Sequence, residues 1–204
     1  IVETGADYVM GVPTHANDIL QEMRVRNMFR LGRVKTFYMS GASIPPEIVK
    51  RLIGLGIVPQ SVYGMSENGS HHSTLPSDDA STMANSVGQG VGQDNPAYEV
   101  RIWKTGDRDM EVLPGEIGEV GGRGATLMLG YFANHEATQA SFNRHGWFMS
   151  GDLGRLDEQG NLQIVGRSKD LIIRGGHNIY PVEIENIALR HPRIAKAAAF
   201  PVPD

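Results

Sequence analysis

Ile19, Leu20, Met23 and Met28 recur at near-helical spacing behind Pro13, which predicts a helix within residues 8–30. Val34 to Met39 is β-branched and aromatic and reads as a strand. It runs into Gly41-Ala42-Ser43 and then Pro45-Pro46, a proline pair that suits a helix start. Ile48, Val49, Leu52 and Ile53 give that helix an apolar face, Gly54 and Gly56 end it, and Ile57-Val58 opens another strand. The order strand, turn, helix, strand favours a parallel α/β layer. Loops at the carboxyl ends of such strands carry ligand sites, and both Gly41-Ala42-Ser43 and Tyr63-Gly64-Met65-Ser66-Glu67 fall at such ends.

The pattern then changes. Residues 71–96 are rich in Ser, Asn, Gln and Gly and are expected to be loop. From 98 to 165, short strand candidates alternate with turns: 98–103, 116–121, 127–129, 154–156 and 162–165, with one short helix at 136–142. This predicts a small β-barrel or sandwich. A new unit begins at Asp170: strand 171–173, a glycine turn, a helix over about 182–190, and a strand over 196–200. Pro181 suits the first helical turn, with Glu183 and Glu185 near the positive end of the helix dipole. The expected fold class is α/β plus β-rich. Residues 1–75 form the end of a parallel α/β subdomain, 76–168 a small β-barrel-like subdomain, and 169–204 the start of a small α+β C-terminal domain.

A length of 204 residues allows one sizeable domain or two small ones. The net charge of −4 argues against a nucleic-acid surface. Absence of cysteine removes disulfides, thiolate zinc sites and cysteine nucleophiles, and fits a reducing, cytoplasmic setting. No apolar run approaches the roughly 18–20 residues of a membrane span, and there is no secretory signal. The chain opens on Ile1 and stops just after a strand-like run, so it reads as a piece of a longer protein.

Three segments carry candidate chemistry. In Tyr63-Gly64-Met65-Ser66-Glu67, Gly64 allows a tight turn and the approach of a planar ligand, and Tyr63 offers a stacking surface. Ser66 can donate to a phosphate oxygen, and Glu67 can hold Mg²⁺, a hard ion that takes carboxylate and phosphate oxygens. The plain alternative is a strand-to-loop turn with a surface glutamate. In Trp147-Phe148-Met149-Ser150-Gly151-Asp152, Asp152 can accept both hydroxyls of a ribose, or simply cap a turn. In Gly166-Arg167-Ser168-Lys169-Asp170, Arg167 offers a rigid fork of donors, and Lys169 stands at a unit junction where hinges occur; a charged surface linker is the alternative. Gly175-Gly176 reads either as a β-turn or as backbone lining a narrow ligand channel.

Other signals fail. Gly88-Gln89-Gly90-Val91-Gly92 lacks the last glycine of a dinucleotide fingerprint. Asn68 replaces the glycine of a nucleophile elbow, which leaves a serine hydrolase poorly supported. His71-His72, in a polar stretch without metal-site spacing, are expected to be solvated, as are Arg24, Arg26, Arg30 and Arg33 on a helix face.

Taken in order, GASIPP, YGMSE, PGEIGEVGGRGATLMLGY, WFMSGD and GRSKDLIIRGGHNIYPVEIE resemble the adenylate-forming, AMP-binding enzyme family. They are most similar to its acyl-CoA synthetase branch of cyclohexanecarboxylate and short- to medium-chain fatty-acid CoA ligases. The resemblance implies two half-reactions. A carboxylate attacks the α-phosphorus of ATP to give an acyl-adenylate and pyrophosphate; the thiol of coenzyme A then displaces AMP. It implies Ser66 and Glu67 as catalytic residues, Ser66 at the α-phosphate and Glu67 at Mg²⁺. Gly41, Ala42, Ser43, Tyr63 and Gly64 would line the nucleotide, and Asp152 and Arg167 would hold its ribose. Lys169 matches the hinge, and Gly175 and Gly176 match the tunnel for CoA. Residues 115–131 match a structural motif and receive no chemistry.

Ser66 stands where threonine is commoner, and Met149-Ser150 departs from the usual pair before Gly-Asp. The family's phosphate loop and adenylation lysine have no counterpart in these residues, so the chain alone is expected to be inactive in adenylation. An adenylation domain loading a carrier protein and a non-catalytic relic of the same fold are the alternatives. The geometric expectation is that Glu67, Asp152 and Arg167 converge on one cleft.

Overall fold

The computed structural model describes residues 1–42, 44–90, 97–191, 193–194 and 196–202; Ser43, one of the expected nucleotide contacts, lies outside the described residues. The first layer runs β1 (Tyr8–Gly11), α1 (Pro13–Val25), β2 (Thr36–Met39), α2 (Pro46–Gly54) and β3 (Val58–Met65). The three strands are parallel, with Tyr8 opposite Thr36 and Thr36 opposite Val58. Leu20 and Met23 of α1 and Ile48 and Leu52 of α2 close over Phe37 and Met39. Full burial of side chains such as Phe37 and Leu52 contributes about 1.5–3 kcal/mol each. Residues 8–11, expected within a helix, instead pair as a strand. Tyr-Val-Met is a good strand sequence, and Pro13 lacks the N–H a helix interior needs, so α1 starts there. It ends at Val25, with Arg26 as its cap, just ahead of Asn27, whose φ of 52° is left-handed. Arg30 and Arg33 therefore follow the helix and do not share a face with Arg24.

The polar stretch from 71 is not a plain loop. β4 (Gly69–Ser73) folds back antiparallel on β3, α3 (Ala80–Asn85) follows, and β5 (Gln89–Gly90) pairs with β4. Asp79 makes the short helix possible: its carboxylate accepts the N–H groups of Ser81 and Thr82 at 2.7 and 2.9 Å, and Met83 anchors it in the interior. The first sheet has the order β1-β2-β3-β4-β5.

The second sheet is antiparallel: β6 (Tyr98–Lys104), β7 (Asp107–Glu111), β8 (Gly118–Gly124), β9 (Phe148–Leu156) and β10 (Leu162–Arg167), with α4 (His135–Ala140) between β8 and β9. Among the described residues its order is β10-β9-β8-β6-β7, so it is an open sheet edged by β7 and β10 and not a closed barrel. The polar Asp-Arg-Asp-Met-Glu of β7 hid it from the sequence pattern because an edge strand needs little apolar alternation. Residues 127–129, expected as a strand, form no ladder; Met128 N–H instead donates to the Glu67 carbonyl at 2.7 Å. The glycines of β8 make room for rings. A Cβ on Gly121 would fall 2.4 Å from Trp103 Nε1, and one on Gly122 would fall 2.2 Å from Tyr98 Cε1.

A 3₁₀ turn (Ser168–Asp170) leads to β11 (Ile172–Arg174), β12 (His177–Ile179) and α5 (Pro181–Leu189). The strand expected over 196–200 forms no ladder among the described residues. The α/β layer and the second sheet meet where Tyr63 packs with Ile102, Val120 and Leu162, flanked by Met65 and Val87. Among the described residues, no helix is long and apolar enough to cross a membrane.

Candidate functional site

Asp152 lies in β9 and is 8% exposed. Both of its carboxylate oxygens have donors: Tyr63 Oη–H donates to Oδ2 at 2.8 Å, and Arg167 Nε donates to Oδ1 at 3.2 Å. The β9–β10 register places Arg167 directly opposite Asp152, and Tyr63 reaches across from the α/β layer. Burial, and then the negative charge of Asp152, push the Tyr63 hydroxyl above its ordinary value, so it remains a donor. Tyr63 is 9% exposed, and its ring meets His71 edge-on, with centroids 5.3 Å apart. Beside this cluster opens a cavity of about 600 Å³, walled by Arg108, Glu119, Ser150, Arg167 and Lys169. Three cations against one carboxylate make it a basic cleft.

Glu67 belongs to a second cluster, at the tip of the β3–β4 hairpin. Tyr131 Oη donates to its Oε1 at 3.0 Å, and burial followed by this bond raises the Tyr131 hydroxyl. Asn68 fixes the turn: its Oδ1 accepts Met65 N–H at 2.9 Å and its Nδ2 donates to Tyr98 Oη at 3.2 Å. The structure thus brings Asp152 and Arg167 into contact with Tyr63, while Glu67 is bonded to Tyr131. Ser66 is exposed in the same turn. Gly64 faces strand backbone: a Cβ there would fall 2.0 Å from Gly69 O. Gly41, with φ of 84°, and exposed Ala42 form the bend after β2. Lys169 is exposed in the 3₁₀ turn. Gly175 and Gly176, with φ of 56° and 79°, make the two-residue left-handed turn that a tight hairpin between β11 and β12 requires.

His71 and His72 are not solvated. They are 4% and 5% exposed, with Nδ1 atoms 2.7 Å apart, so one ring donates and the other accepts. His71 stacks on Tyr98 at 4.2 Å. Burial, and then its histidine neighbour, push His71 down to about 3; burial pushes His72 down to about 4. Burial likewise lifts Tyr98 to about 12. The sequence pattern missed this pair because Gly-Ser-His-His-Ser shows no apolar alternation; pairing with β3 is what buries it. It also missed Asn68, Glu119 and Tyr131, the last two in the segment assigned no chemistry.

A model of the AMP-binding enzyme family matches residues 1–132. This chain belongs to that family. It is 35% identical over 174 residues to a medium-chain fatty-acid–CoA ligase of Escherichia coli, covering 85% of this chain and 30% of the ligase. It is 36% identical over 197 residues to a feruloyl-CoA synthase of Amycolatopsis, covering 96% of this chain and 38% of the synthase. Among solved structures, ATP-bound MatB from Rhodopseudomonas palustris superposes with a TM-score of 0.82 at 30% identity, over 98% of this chain and 38% of that one. The o-succinylbenzoate CoA synthetase MenE from Bacillus subtilis, in complex with its acyl-adenylate intermediate, gives 0.81 at 30% identity, over 98% and 39%. The chain thus spans between 30% and 39% of these relatives.

Proposed function

We propose that this chain supplies part of the nucleotide site, and the hinge, of an acyl-CoA synthetase. In that reaction a carboxylate oxygen of the acid attacks the α-phosphorus of ATP, and pyrophosphate leaves with the electron pair of the broken P–O bond. The thiol of CoA then attacks the acyl carbon of the adenylate, loses its proton, and releases AMP. The observation that carries the reading is the Tyr63–Asp152–Arg167 cluster, in a chain of the AMP-binding family whose relatives include a fatty-acid–CoA ligase and a feruloyl-CoA synthase.

In this reading Asp152 accepts the ribose hydroxyls and Arg167 holds its carboxylate and adds donors. Tyr63, Gly64, Gly41, Ala42 and Ser43 form the adenine side, with Tyr63 contributing the small open part of its ring. Ser66 contacts the α-phosphate. Glu67 fits Mg²⁺ as a single protein carboxylate, since that ion commonly takes one or two carboxylates plus phosphate oxygens and water. Among the described residues no group of three or more His, Asp or Glu side chains offers an all-protein cage. When bound, Mg²⁺ would offset phosphate charge. Lys169 is the hinge, and Gly175-Gly176 borders the path of CoA. We take residues 1–75 as the end of the α/β subdomain, 76–168 as the β-rich subdomain and 169–204 as the start of the mobile C-terminal domain. A cytoplasmic setting fits the use of ATP and CoA.

The test is a panel of carboxylic acids with ATP and the complete gene product, using CoA or a phosphopantetheinyl carrier protein as acceptor. Acid-dependent formation of AMP, pyrophosphate and an acyl-CoA thioester in equal amounts is expected. Release of ADP, or acylation of the carrier protein alone, would contradict the reading.

A further inference from the structure

We infer that Glu119 is a positioning residue for the nucleotide site: through Gly151 it fixes the backbone from which Asp152 is presented. The inference rests on the reading of Asp152 as the ribose acceptor. The β8–β9 ladder pairs Glu119 with Leu153 and Gly121 with Met149, and its register shifts between them. One residue of β8, Val120, therefore faces three of β9: Ser150, Gly151 and Asp152. A bulge of this kind disrupts the local ladder and re-aims a side chain.

Side chains make the bonds that the ladder does not. Glu119 Oε1 accepts Gly151 N–H at 3.1 Å. Ser150 Oγ donates to Val120 O at 2.7 Å and accepts Asp152 N–H at 3.1 Å. Gly151 takes a φ of 76°, a left-handed turn inside a strand that disfavours a side chain and sets the direction of the next residue. Glu119 is itself 7% exposed, and its charge is met by Arg108 Nη2 at 3.2 Å on the same oxygen. A buried carboxylate is costly unless paired and hydrogen-bonded, and Gly151, which lines the open cleft, could satisfy its N–H with water. The use of a buried carboxylate here follows from what it does to the neighbour: it gives the bulge one geometry, and Asp152 one aim.

The experiment compares Glu119→Ala, Glu119→Gln and Asp152→Asn in the complete gene product, measuring KM and kcat with ATP and with 2′-deoxy-ATP, together with Tm. Glu119→Ala is expected to raise KM for ATP about tenfold with a smaller change in kcat, and to shrink the preference for ATP over 2′-deoxy-ATP. Glu119→Gln keeps an oxygen that can accept Gly151 N–H, and is expected to restore most of that loss. Adding Glu119→Ala to Asp152→Asn is expected to cost no further ATP preference, because the first acts through the second. A lowered Tm with KM and preference unchanged would overturn the inference, as would additive effects.

If Glu119→Ala does not fold, Ser150→Ala removes one hydroxyl from the same bulge and is expected to raise KM in the same direction; an unchanged KM would overturn the inference. Should Asp152→Asn itself leave ATP preference intact, the ribose reading falls and the inference with it. An effective Asp152→Asn beside a silent Glu119→Ala defeats the positioning role alone.

Discussion

Asp152 is a carboxylate withdrawn from water, and each oxygen is given a donor. The two donors are not equivalent. The Arg167 side chain is 56% exposed, so solvent screens its attraction, whereas the Tyr63 hydroxyl is buried and donates without an open path to water. Tyr63→Phe leaves one carboxylate oxygen short of its donor, so it is expected to destabilise the chain by about 1–3 kcal/mol. Urea unfolding of the chain measures this; an unchanged midpoint would contradict it. At this scale the sequence was legible where chemistry is local. The Gly-Asp step of Trp-Phe-Met-Ser-Gly-Asp and the arginine of Gly-Arg-Ser-Lys-Asp marked two residues that the structure pairs. The Tyr63 hydroxyl was not legible, because it meets a partner 89 residues away. Glu119 was hidden in the same way, since its task exists only once β8 lies beside β9.

The β3–β4 hairpin connects the two clusters, and its interior holds the histidine pair. The folded hairpin keeps both rings neutral, to about 3 for His71 and about 4 for His72, whereas an unfolded histidine takes up a proton near 6.5. Acid therefore favours the unfolded chain: stability is full above 6.5 and falls as pH drops from there toward 4. The expected loss is up to about 1.4 kcal/mol per histidine per pH unit, and His71→Phe should flatten it. Denaturation at a series of pH values checks this, and stability that stays level from about pH 7 to about pH 4.5 would contradict it. Elements with internal periodicity, such as α2 and β6, were readable in the sequence. β4, β5 and β7 were not, because their polar residues become strands only through a neighbour that supplies the ladder.

For the whole molecule, the central feature is how the parallel layer and the open antiparallel sheet are joined. Tyr63 packs with Ile102, Val120 and Leu162 and, from the same position, bonds Asp152. One residue thereby couples sheet packing to the Asp152 carboxylate. The order of motifs made the family legible, and the fold class followed. The openness of the second sheet did not, because barrel closure depends on how the edge strands pair and not on their number. Glu67 keeps its own anchor on Tyr131, apart from the Asp152 cluster, so the proposed nucleotide contact is tested at Asp152. A charged hydrogen bond of this kind is worth about 1.5–3 kcal/mol, which is roughly 10- to 150-fold in affinity. Calorimetric titration of AMP into the complete gene product and into its Asp152→Asn variant measures that contribution directly. The variant is expected to bind AMP more weakly by a factor in that range; equal affinity in a folded variant would contradict that expectation.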